Sequence, residues 1–93
     1  MTTNDLAGLR PASNVLFQEL EGEMVLLNLE TERYYGLDDV GTRFWQLLTE
    51  HGDIEHVLTQ MIAEFDVDEA TIRADVEKLV SELSTAGLLV SQA

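Results

Sequence analysis

The hydrophobic period of this chain changes from two to about 3.6 at residue 38, and that switch divides it into a sheet-forming part and a helix-forming part. Before the switch the apolar residues come in short runs. Val15 to Leu20 and Met24 to Leu29 are separated by Glu21-Gly22-Glu23, where Gly22 supplies the positive φ that a tight hairpin wants. A second turn, Glu30-Thr31-Glu32, leads into Arg33 to Leu37. Connections this short predict an antiparallel meander in sequence order, which leaves the third strand, RYYGL, at an edge.

After Leu37, Val40, Phe44, Leu47 and Leu48 share a helical stripe with Trp45 beside it, Asp38 and Asp39 are N-cap and first-turn candidates, and Gly52 ends the element. Asp53 can cap the next helix, in which Ile54, Val57, Leu58, Met61, Ile62 and Phe65 follow i, i+3, i+4, i+7, i+8, i+11. A third helix, capped by Asp68, is predicted from about Glu69 to Thr85, with Ile72, Val76, Leu79 and Leu83 as its stripe and Val80 on its flank. Gly87 is a C′ residue, and a short apolar tail, Leu88 to Val90, follows. The expected architecture is α+β and winged helix-turn-helix-like: a three-stranded antiparallel sheet followed by three helices, β-β-β-α-α-α. Residues 1–13 are polar and aperiodic and contain the only proline, Pro11, so a flexible N-terminal arm is expected there, with the domain over 14–93.

Ninety-three residues leave room for one small domain, and 45% apolar with 25% charged residues is ordinary globular usage. Charge is the outlying quantity. Eighteen Asp plus Glu against five Lys plus Arg give a formal net charge of -13. The helical part is the more anionic: residues 38–93 carry twelve acids and three bases, whereas residues 1–37 carry six and two. That field repels phosphate and anionic membrane surfaces and favours basic partners. A winged-helix DNA-binding regulator, which the shape alone would suggest, would have to bring Glu69, Asp75, Glu77 and Glu82 to DNA with only Arg73 and Lys78 opposing them. No run approaches the length of a membrane span, the N-terminus lacks a basic and apolar signal, and a cytoplasmic protein is expected.

Chemistry is poorly provided for. There is no cysteine, which removes disulfides, thiolate metal sites and a thiol nucleophile. His51 and His56 point away from the apolar stripes and read as solvent-facing, His51 at a helix C-terminus. Asp66-Val67-Asp68-Glu69 lacks the glycine and terminal glutamate of a calcium loop, no carboxylate stands in an apolar run, and there is no glycine-rich phosphate loop. No catalytic residue, metal or cofactor is expected. The surface that remains is the edge strand, where alternation puts Arg33, Tyr35 and Leu37 on one face and Tyr34 and Gly36 on the other. An extended peptide can add to such an edge as a further strand. Composition alone favours the plainer use of both tyrosines, packing the sheet against the helices.

The run LLNLETERYYGLDDVGTRFWQLL (residues 26–48), followed by an acidic helix pair ending in LVSELSTAGLLV (residues 79–90), resembles the PqqD-like family of recognition proteins for ribosomally synthesised, post-translationally modified peptides. In YYGLD-x-VG-x-R-x-W it is similar to the stand-alone members of lasso-peptide pathways. The likeness covers about residues 14–91. It implies a non-catalytic module that binds the leader segment of a precursor peptide by strand addition, in the cleft between the third strand and the third helix. It also implies delivery of that leader to a separate leader peptidase; in a different branch the partner is a radical-SAM enzyme. Carried over by position, the strand side of the cleft is Arg33, Tyr34, Tyr35, Gly36 and Leu37. On the helix side Arg73, Val76 and Val80 are expected, with Asp75 and Glu82 replacing them if the helix is rotated the other way. Gly41, Phe44 and Trp45 match the family's first helix and are expected to pack rather than bind. A proline at Tyr35 is expected to remove an edge donor while sparing the fold.

Overall fold

The turn residues take the conformations their positions demand. Glu21 and Gly22 both have positive φ (53° and 85°), so the chain reverses between β2 (Val15–Leu20) and β3 (Glu23–Asn28) in two residues. Glu32, at φ 63°, closes the turn into β4 (Arg33–Gly36). The computed structural model describes residues 8–91, and its three-stranded antiparallel sheet has the order β2-β3-β4, as the meander predicts. The three helices follow as α1 (Asp39–His51), α2 (Ile54–Phe65) and α3 (Glu69–Thr85).

Asp38 caps α1 by accepting from the Gly41 N–H at 2.9 Å and Asp53 caps α2 through the Glu55 N–H at 3.2 Å, whereas Asp68 holds the N-cap position of α3 without a side-chain bond to its first turn, contrary to expectation. Gly52 ends α1 in the left-handed region. The helices and one face of the sheet enclose Leu26, Phe44, Trp45, Val57, Met61 and Val76, all fully buried. Phe17 meets the Trp45 ring edge-on with centroids 5.4 Å apart, which joins β2 to α1. Across the helix pair, Arg43 binds Glu64 with both carboxylate oxygens engaged, at 2.7 and 2.8 Å.

The N-terminal expectation needs correction. Leu9–Pro11 form a strand, β1, that pairs antiparallel with β5 (Leu89–Ser91) in a separate two-stranded ribbon. Leu9 and Ala12 are buried, and the Ala12 N–H donates to the Leu88 carbonyl at 3.0 Å, so the domain extends into the stretch assigned to the arm. Three-residue strands are too short for periodicity to register, and the pairing is entirely non-local. The rest of the expected arm, residues 1–7, lies outside the described residues.

Asn28 ties the strands to the end of α3. Its side-chain oxygen accepts from the backbone of Glu30 (2.8 Å) and Thr31 (3.3 Å) and from Asn14 Nδ2 (3.0 Å), while its Nδ2 donates to the Ala86 carbonyl at 2.9 Å. A Cβ at residue 87 would lie 3.1 Å from Asn28 Nδ2, and φ there is +77°; both require the glycine. The closing turn of α3 is thereby held against the β3–β4 turn.

Candidate functional site: a free sheet edge beside an acidic groove

Among the described residues β4 pairs with β3 alone, in the register Val25 with Gly36, Leu26 with Tyr35, Leu27 with Tyr34 and Asn28 with Arg33. The next pair in this register is Met24 with Leu37, and the Leu37 N–H donates to the Met24 carbonyl at 2.8 Å. Because hydrogen-bonded and non-bonded pairs alternate in an antiparallel ladder, Tyr35 and Arg33 also direct their backbone groups toward β3. The N–H and C=O of Tyr34 and Gly36 therefore face outward. The opposite ladder has the complementary phase, with the Leu29 N–H donating to Asn14 at 2.9 Å, which assigns Leu27 and Val25 to β2.

Two backbone units spaced one residue apart are what an added strand requires. Gly36 presents no side chain, and apart from its chain neighbours no described residue lies within 4 Å of the position its Cβ would take. The side chains divide as alternation predicts. Tyr35 shares the helix-facing side with Leu26 and is 38% exposed; Tyr34 shares the outer side with Leu27 and is 71% exposed. Arg33 is exposed as well, whereas Leu37 is buried and belongs to the core.

The first turn of α1 is brought against the end of β4 by Thr42. Its hydroxyl donates to the Leu37 carbonyl (3.1 Å) and accepts from the Met24 N–H (2.9 Å), both within the core. Gly41 allows that approach, since a Cβ there would meet Leu37 Cβ at 3.2 Å and Asp38 Oδ1 at 3.3 Å. Between this turn and α3 runs a groove of about 270 Å³. Asp38, Val40 and Gly41 form one wall, and Asp75, Lys78, Leu79 and Glu82 form the other. Val40 and Leu79 are partly buried, so the groove has an apolar floor, with three carboxylates and one ammonium at its mouth.

None of the three helix residues expected at the cleft, Arg73, Val76 and Val80, lines this groove. Val76 and Val80 are 0% and 5% exposed and sit in the core. Arg73 is turned toward α2: its guanidinium binds Glu69 at 3.1 Å and Glu55 at 3.4 Å, and these carboxylates raise its pKa. The helix is rotated in the direction that brings forward Asp75 and Glu82, and with them Lys78 and Leu79. An apolar stripe of four residues is compatible with either rotation, and only the packing of α2 against α3 selects one. Phe44 and Trp45 pack as expected, both 0% exposed, while Gly41 packs and also lines the groove.

The described residues contain no group of three or more histidine or acidic side chains placed to hold a metal ion, and no helix among them is long and apolar enough to cross a membrane. His51 and His56 are solvent-exposed, as expected, with ring centroids 4.2 Å apart.

A small winged helix-turn-helix-like α+β domain with an open sheet edge and a neighbouring groove is the class that fold and site together define. Residues 23–89 match the family model described as coenzyme PQQ synthesis protein D (PqqD), and the chain belongs to that family. It is similar in structure to TbiB1 in complex with the TbiA(beta) leader peptide, with 34% identity, a TM-score of 0.85, and coverage of 90% of this chain and 98% of that one. A lasso peptide synthetase B1 complexed with the leader peptide shares the fold at 23% identity and a TM-score of 0.81, covering 90% of this chain and 99% of that chain. Comparison with curated proteins finds no match.

Proposed function

We propose that this protein binds the leader segment of a ribosomally synthesised precursor peptide and presents it to a separate leader peptidase, as a module of lasso-peptide biosynthesis that performs no chemistry itself. The leader adds to the sheet as a fourth strand, bonded to the outward N–H and C=O of Tyr34 and Gly36. Alternate leader side chains then point to the helix-facing side, where Tyr35, Val40 and Leu79 offer apolar contact. Backbone pairing sets the register. Two or three buried apolar anchors contribute most of the affinity, roughly 1.5 to 3 kcal/mol each.

The observation that supports this most strongly is the outward-facing pair of backbone units on β4 next to a groove with an apolar floor. The 34% identical neighbour with its leader peptide supports the choice of ligand. Asp38, Asp75 and Glu82 at the mouth of the groove favour leader segments carrying lysine or arginine near an anchor. Titration of a fluorescently labelled leader into the isolated protein tests the reading. Saturable binding without the peptidase is expected, and absence of binding until the peptidase is added would overturn it.

A further inference from the structure

The sheet has a second surface that strand addition does not use. On its outer side Leu16, Leu20, Val25, Leu27 and Tyr34 line a shallow groove of about 500 Å³. Leu16 and Leu20 are 56% and 50% exposed, and among the described residues the buried core lies on the other side of the sheet. Contiguous apolar surface of this kind on a small domain costs solubility unless a partner covers it. The groove lining carries no charged side chain. Both turns that bound the face are acidic, with Glu21 and Glu23 at one end and Glu30 and Glu32 at the other.

We infer that this outer face docks the leader peptidase, through a peptidase surface that has an apolar centre flanked by lysine or arginine side chains. Charge complementarity selects such a partner: the apolar centre is neutral, its ends are anionic, and the whole chain carries -13. The same charge argues against a second copy, since face-to-face pairing would bring four glutamates of one chain against those of the other. Continuity with the leader-binding edge supplies the second argument. Tyr34 belongs to both surfaces, because its backbone faces the free edge and its side chain lies on the outer face. A strand added to β4 would widen the face by one row of side chains, so a partner seated there touches protein and leader together.

The inference rests on the presenting role proposed above, so the two are measured separately. The double variant Leu16→Glu/Leu20→Glu alters the outer face alone and leaves β4 and the groove intact. Labelled leader should bind it within about twofold of the parent protein, while affinity for the purified peptidase of the same pathway, read by isothermal titration with leader present, should fall at least tenfold. Glu21→Lys/Glu23→Lys should also weaken the peptidase complex, more at low salt than at high. Unchanged peptidase affinity in Leu16→Glu/Leu20→Glu would overturn the assignment, as would failure of the parent protein to bind the peptidase at all. A parent protein that sediments as a dimer, with the double variant a monomer, would overturn it in favour of self-association. Loss of leader binding in the parent protein would instead strike the presenting role and leave the face to be judged by peptidase binding alone.

Discussion

Proline at two adjacent positions of β4 should separate the edge from the ladder. The Tyr34 N–H has no partner among the described strands, so Tyr34→Pro spares the β3–β4 ladder, whereas an added strand loses its donor there. One backbone hydrogen bond contributes about 0.5–1.5 kcal/mol net. The N–H and C=O of one residue bond the same partner residue in an antiparallel pair, and the proline ring blocks the approach to both, so about 2 kcal/mol is at stake. That corresponds to a roughly thirtyfold rise in Kd. Tyr34→Ala keeps the N–H and isolates the contribution of the ring. Tyr35→Pro behaves differently from the expectation drawn on the sequence, because the Tyr35 N–H faces Leu26 inside the sheet. Leaving the buried Leu26 carbonyl unpaired costs about 1–3 kcal/mol, and in a domain of this size each kcal/mol lowers Tm by about 4–8 °C. Fluorescence anisotropy with labelled leader and thermal denaturation by circular dichroism read the two effects. A Tyr34→Pro protein that binds like the parent, or a Tyr35→Pro protein with an unchanged Tm, would refute the assigned phase of the ladder.

Leu79→Ala should weaken leader binding about five- to thirtyfold with little loss of stability, while Val76→Ala, at a fully buried site, should cost about 2 kcal/mol of folding free energy and leave the affinity of the folded protein unchanged; paired titration and urea denaturation check both. Asn28→Ala leaves the Ala86 carbonyl and the turn N–H groups of Glu30 and Thr31 without their partner, so a loss of about 2–4 kcal/mol is expected in urea denaturation. The Arg43 guanidinium, donating to both oxygens, together with the Gln60 amide, holds the Glu64 carboxyl at about 2. A lowered folded-state pKa means that this contribution is complete above the ordinary value of 4.5 and is lost as pH falls toward 2. In Arg43→Ala the Glu64 carboxyl should titrate near its ordinary value, which carbon-detected NMR titration would show.

What could be read from the chain, and what could not, divides along local and non-local lines. Gly22, Asp38, Asp53 and Gly52 act within four residues of their own positions, so these turns and caps and the order of the three meander strands and three helices were legible, and with them the exposure of β4. The free edge followed from topology. Which of its residues face outward depends on the phase of the β3–β4 ladder, set by the Leu37 to Met24 bond and invisible to side-chain alternation. Alternation sorts side chains between faces, whereas backbone groups alternate between strands. The rotation of α3 was similarly undetermined, because Ile72, Val76, Leu79 and Leu83 leave both flanks open until Arg73 is claimed by Glu55 on α2. The signal that would have found the groove was Lys78 beside Leu79, a basic and an apolar residue next to the carboxylates of Asp75 and Glu82. The β1–β5 ribbon had no local signature, because its three-residue strands are too short for a period to show and their pairing joins residues about eighty positions apart in the sequence.

Amide hydrogen exchange of the uniformly labelled protein, followed by NMR as unlabelled leader is added to saturation, tests strand addition most directly. In the free protein the Tyr35 amide should be protected by its ladder bond and the Tyr34 and Gly36 amides should exchange quickly. On saturation both of the latter should become protected together while Tyr35 changes little. Saturable binding that leaves Tyr34 and Gly36 exchanging as in the free protein would contradict leader binding at the β4 edge.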